Sequence, residues 1–149
     1  MIFIVDSGKL VVSDPCCEAD GDGNNSFDVL NGKWEVSVYK NNWGVASIEA
    51  RHEKAKGFFP KSANNCSVDS GQLGFFDMKK YDPNNDEWYD SCCDQTLSDK
   101  GYGLIDGGFI TSTGGDGLFC CHYGVGEFGL VDRIEVVFQE EENEECEGW

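Results

Sequence analysis

Apolar and polar positions alternate over short stretches of this chain, and clusters of Asn, Asp, Ser and Gly interrupt the alternation every few residues. A two-residue period with Val, Ile, Phe, Tyr and Trp at the apolar positions predicts half-buried strands. Residues 2–5 and 9–13 read as two short strands around an Asp6-Ser7-Gly8 turn, and Pro15, which lacks an amide donor, ends the second. A polar loop follows over 16–30. From residue 33 the alternation is clean, with Trp34, Val36 and Val38 on one face and Glu35, Ser37 and Tyr39 on the other. Asn41-Asn42 supplies a hairpin turn because Asn tolerates positive φ, and a return strand runs over 43–51.

The first turn comes back. Val5-Asp6-Ser7-Gly8-Lys9-Leu10, closing on Asp14, recurs 63 residues later as Val68-Asp69-Ser70-Gly71-Gln72-Leu73, closing on Asp77, with six of ten positions identical. Such self-similarity predicts a chain of two related units. Residues 67–70 and 73–77 repeat the first two strands, 104–111 is a further strand, and 117–123 with 129–135 form a last hairpin that overlays the first with one residue inserted. The overlay puts Phe119, Cys121 and Tyr123 inward, on the positions of Trp34, Val36 and Val38. It puts Cys120 and His122 outward, on those of Glu35 and Ser37.

One segment departs from the strand period. Over 87–97, Trp88, Cys92, Cys93 and Leu97 make an apolar helical stripe, with Asp86 as the cap and Gly101 beyond the end. The predicted fold is therefore mainly β: an internally duplicated two-sheet sandwich or partly open barrel with one short helix. It is a single domain over 1–149, with halves at about 1–52 and 66–138, a basic connector over 53–65 holding Lys54, Lys56 and Lys61, and an acidic tail over 139–149. Two such units cover each other's apolar faces. Folding a chain of this length buries roughly 70% of its unfolded surface, enough for a core without staples.

Charge narrows the partners. Lys plus Arg number 11 against 28 Asp plus Glu, a formal net charge of -17, which repels nucleic acid and favours a basic protein surface or a divalent cation. Eight cysteines would suggest a disulfide framework in an oxidising compartment, but no export signal is legible, since Asp6 and Gly8 interrupt the apolar start. No apolar run approaches the length of a membrane span. The expectation is a cytoplasmic protein with reduced thiols. Three adjacent pairs, Cys16-Cys17, Cys92-Cys93 and Cys120-Cys121, lack the spacing of zinc knuckles.

Three places carry candidate chemistry. Cys120 and His122, two apart on one strand face, are the candidate catalytic residues, as a nucleophile with its base or as half a metal site. The loop from Asp20 to Asp28 offers oxygens from Asp20, Asp22, Asn24 and Asp28 at relative positions 1, 3, 5 and 9, the pattern of a calcium loop. It departs from that pattern where Asn25 replaces the pivotal glycine and Asn31 the bidentate Glu. The twin Asp-Ser-Gly turns hold a hydroxyl and a carboxylate, yet two copies in equivalent places read as structural turns.

Val5-Asp6-Ser7-Gly8, Ser13-Asp14-Pro15-Cys16, Val68-Asp69-Ser70-Gly71-Gln72, Trp88-Tyr89-Asp90 with Cys92, and Thr111-Ser112-Thr113-Gly114-Gly115-Asp116-Gly117 followed by Ile134-Glu135-Val136-Val137-Phe138 run through nearly the whole chain. As a set they resemble a family of small bacterial and phage-borne proteins known only as a domain of unknown function. Here Cys17 and Phe119 stand where that family's pattern has tyrosines, and the spacing after Gly114 is shorter. The resemblance implies an architecture and no reaction. The leading expectation is a non-enzymatic cytoplasmic binding or regulatory module, with calcium as its one candidate cofactor. The alternatives are a small enzyme using Cys120 and His122, and an acidic decoy for a basic or nucleic-acid-binding protein.

Overall fold

A computed structural model describes residues 1–18, 25–42, 44–56, 62–126 and 128–139. The first half runs β1 (Ile2–Val5), β2 (Lys9–Ser13), β3 (Asn25–Asp28) and the hairpin β4 (Gly32–Asn41) and β5 (Gly44–His52). The second runs β6 (Ser62–Val68), β7 (Gln72–Asp77), helix α1 (Asp86–Thr96), β8 (Tyr102–Ile105), β9 (Gly108–Ser112) and the hairpin β10 (Gly117–Val125) and β11 (Val131–Val137). They form two antiparallel sheets, β1-β4-β5-β11-β10-β6 and β3-β2-β7-β9-β8, and among the described residues neither closes into a barrel.

The first sheet reads the same from either end, with β1 answering β6, β4 answering β10 and β5 answering β11. Register makes this a pseudo-two-fold. Phe3 opposes Trp34 as Cys66 opposes Phe119, and Ser37 opposes Glu49 as His122 opposes Glu135. Where the halves meet, Glu49 of β5 lies directly opposite Glu135 of β11, and in the second sheet Val12 of β2 lies opposite Phe75 of β7. Each of those pairs joins a residue to its own counterpart, so the axis passes through both. The helix and β8 are what the second half adds.

The sheets close on one core. Trp34, Val36, Ile48, Cys121 and Ile134 from the first sheet meet Leu10, Val12, Leu73, Phe75 and Phe109 from the second. Full burial of a large aliphatic or aromatic side chain contributes roughly 1.5–3 kcal/mol, so this interface dominates stability. A smaller core lies beyond the second sheet, where Val11, Phe76 and Ile110 on its outer face pack against Tyr81, Cys92 and Trp88. The helix thus makes a local third layer over β9 and β8, and it lets Val11 and Phe76 be buried on a face that would otherwise be wet.

Several predicted boundaries shift. The helix begins one residue earlier, because Asn85 rather than Asp86 is the cap: its side-chain oxygen accepts from Trp88 N at 3.1 Å. Asp86 becomes the first helical residue, where an acid suits the helix dipole, and Leu97 falls off the stripe at 84% exposure. β3 lies inside the expected polar loop, and β6 begins inside the expected connector. Both are edge strands of mostly polar sequence, whose alternation is weak. The single strand predicted over 104–111 is a hairpin, turned at Gly107, whose φ of 75° belongs to the region that favours glycine.

Candidate functional site

The Asp-Ser-Gly turns carry β1 into β2 and β6 into β7, each crossing from one sheet to the other. The carboxylate that holds each turn comes from the opposite half. Asp14, at the end of β2, accepts from Asp69 N at 2.8 Å, Ser70 N at 2.6 Å and the Ser70 hydroxyl at 2.6 Å. Asp77, at the end of β7, accepts from Asp6 N at 3.0 Å and from the Ser7 hydroxyl. Each also takes the amide two residues on, Cys16 N at 3.0 Å and Lys79 N at 3.2 Å. Asp14 and Asp77 are 0% and 2% exposed. Buried carboxylates need this many donors, and these two receive them only when both halves are in place.

The two corners then diverge. At the Asp77 corner, Lys79 pairs with Asp6 at 3.2 Å on the surface. At the Asp14 corner the position equivalent to Lys79 is Cys16, and a polar cluster surrounds it. The Gln72 amide reaches the Ser70 hydroxyl at 3.3 Å, the Tyr89 hydroxyl at 3.5 Å and the Cys93 sulfur at 3.8 Å, while Thr96 donates to its oxygen at 2.9 Å. The Tyr81 hydroxyl sits 2.9 Å from the Asp14 carbonyl and also bonds the Cys17 carbonyl, tying down the turn that holds the thiols. Cys16 and Cys17 sulfurs lie 3.9 Å apart. Desolvation, followed by the Asp14 carboxylate beside it, pushes the Cys16 thiol up to about 12, and desolvation raises Cys17 too. Thiols so placed are protonated at neutral pH and poor nucleophiles.

Cys120 and His122 do lie on the face of β10 turned from the core, in line with Asn65, Val137 and Glu135 of the neighbouring strands. Their surroundings differ from expectation. Both are only 3% exposed, and Cys120 is disulfide-bonded while six other cysteines are free thiols. The expectation of uniformly reduced thiols therefore fails at Cys120, whose sulfur is no free nucleophile. Burial lowers the His122 pKa.

His122 belongs to a cross-strand row, Ser37, Glu49, Glu135 and His122, centred on the pseudo-two-fold, and Ala63 of β6 lies beyond it. Two like charges directly opposite are unfavourable. Here Arg133 bonds Glu49 at 2.7 Å, with both side chains largely buried, and Glu135 is shifted up, by burial first and then by Glu49. At the centre of the row is a carboxylate pair, Glu49 buried and Glu135 half-buried, with Glu49 paired to Arg133 and Glu135 biased towards holding a proton. Pair geometry of this kind was not legible in sequence, because Glu49 and Glu135 are 86 positions apart and only the strand register brings them together.

Of the proposed calcium ligands, Asp20, Asp22 and Asn24 lie outside the described residues. Asp28 ends β3 and pairs with Lys9 at 3.1 Å, on an exposed surface. Among the described residues, no group of three or more His, Cys, Asp or Glu side chains is arranged to hold a metal ion. The described residues also contain no helix long and apolar enough to cross a membrane. Comparison with protein-family models, with curated proteins and with solved structures gives no match.

Proposed function

We propose that the protein is a non-enzymatic binding module whose acidic surface meets a basic protein segment. The observation that carries this reading is the formal net charge of -17. A field of that sign and size concentrates basic segments and speeds their encounter. The side chains that suggest chemistry are engaged elsewhere: Ser7 and Ser70 donate to Asp77 and Asp14, Cys16 is held as a thiol, and Cys120 is in a disulfide. Arg51 and Arg133 interleave with the carboxylates of the first sheet's outer face, which weighs against a decoy presenting an unbroken phosphate-like row. Six free thiols fit a cytoplasmic setting, with Cys120 the exception.

The test is a fluorescence-anisotropy titration of a labelled peptide of alternating Lys and Gly. Saturable binding that weakens about tenfold or more when salt rises from about 50 to about 200 mM is expected. Absence of saturable binding at the lower salt contradicts the reading. A cation-binding version, resting on Asp20, Asp22, Asn24 and Asp28, is checked by adding calcium to chelator-treated protein; it fails if neither heat nor a melting shift appears at millimolar calcium.

A further inference from the structure

Among the described residues β1 is an edge strand, and no described strand pairs with its open side. Val36 N donates to Met1 O at 2.7 Å and Met1 N reaches Val36 O, so Met1 and Val36 are a bonded pair. In an antiparallel ladder bonded pairs alternate, which makes Phe3–Trp34 and Val5–Gly32 the next ones. The N–H and C=O groups of Ile2 and Ile4 consequently point away from β4, to the open edge. The side chains of Ile2 and Ile4 are each 50% exposed, and Met1 and Leu104 beside them are 42% and 38% exposed. Between β1 and β8 runs a groove of about 350 Å³ lined by Ile2, Phe3, Ile4, Leu104 and Ile105 among others.

The other half shows that the fold does not require this. The positions equivalent to Ile2 and Ile4 on β6, the other end of the sheet's described strands, are the polar Asn65 and Ser67. Polar residues therefore suffice for an edge of this sheet, and β1 carries isoleucines instead. An apolar, unpaired edge invites a further strand. Its occupant is chosen by charge: a second copy would bring another -17, whereas a basic segment is attracted.

We infer that β1 is a docking edge on which an extended basic segment of a partner protein, alternating apolar and basic residues, adds as a seventh strand of the first sheet. The inference rests on the proposed binding function and gives it a place. The partner's backbone bonds to the free groups of Ile2 and Ile4, and its apolar residues cover Ile2, Ile4 and Leu104.

The test compares two labelled peptides of equal charge, alternating Lys-Val and alternating Lys-Gly, on the full chain and two variants. Ile4→Pro removes the outward amide without touching a β1–β4 bond; the double variant Ile2→Asn/Ile4→Ser installs the residues of β6. Expected are about tenfold tighter binding of Lys-Val than Lys-Gly, loss of that advantage in both variants with the melting temperature held, and slowed amide exchange at Ile2 and Ile4 on binding. Equal binding of the two peptides, or a Lys-Val advantage that survives both variants, overturns the docking edge and leaves the basic-partner reading intact. Failure of both peptides to bind overturns both. A wild-type dimer that Ile4→Pro abolishes would show that the occupant is a second copy, and would overturn the choice of partner.

Discussion

Glu135 shows what burial does to a carboxylate placed opposite its own counterpart. Its pKa lies above the ordinary glutamate value because burial penalises the anion and Glu49 repels it, with Arg133 offsetting only part. The folded state therefore holds its proton to higher pH than the unfolded chain does. The stability Glu135 contributes is complete below the unfolded value, about 4.3, and is lost as pH rises through the raised folded value. Glu135→Gln keeps a neutral group at every pH. It should match the wild type near pH 4 and exceed it above neutrality by a margin on the order of a cross-strand pair, roughly 0.2–1 kcal/mol. Thermal melts across that range check it, and a variant less stable than wild type at pH 7.5 would contradict the account. His122 acts in the opposite sense, since a lowered pKa supports folding at higher pH and withdraws that support as pH falls.

At the scale of elements, glycine separates a turn requirement from a packing requirement. Gly71 sits in the second Asp-Ser-Gly turn at φ 70°, and an added Cβ there would meet only the Asp116 carboxylate at 3.9 Å. Gly74 lies within β7, where a Cβ would fall 2.2 Å from the Phe109 carbonyl and 2.5 Å from the Phe76 ring. Gly71→Ala should cost about 1–2 kcal/mol, the left-handed penalty alone. Gly74→Ala should cost more, because β7 and β9 must move apart, and a urea series on both variants tests the order. The strands with clean alternation, β4 above all, were legible in sequence because Trp34, Val36 and Val38 report one buried face. β3 and β6 were not. They carry Asn and Ser at edges where solvent accepts either kind of residue, so nothing in their pattern distinguishes strand from loop. The Asn85 cap was missed for a different reason, since Asn85 and Asp86 are both good caps and only backbone geometry chooses between them.

For the whole molecule, the repeat in the sequence contained the decisive pair without revealing what it does. Asp14 and Asp77 close the two copies of one motif, and a motif read alone suggests that each carboxylate serves its own turn. Strand order changes that: β2 and β7 are neighbours and antiparallel, so the end of each lies beside the turn that begins the other. The halves thus cap each other, and neither can satisfy its buried carboxylate without its partner. The same arrangement moves the search for function from the motif to what the halves do not share: the isoleucine edge of β1, the helix, and the thiol-rich corner at Cys16.

Equilibrium urea unfolding of Asp14→Asn and Asp77→Asn tests the mutual capping most directly. Each substitution replaces charge-assisted bonds to the opposite half by weaker ones, at about 2–3 kcal/mol. Both variants should lose stability by similar amounts, each in a single transition, while a Lys-Gly peptide binds them as it binds the wild type. A variant that keeps the wild-type midpoint, or one in which the two halves unfold in separate steps, would contradict the account.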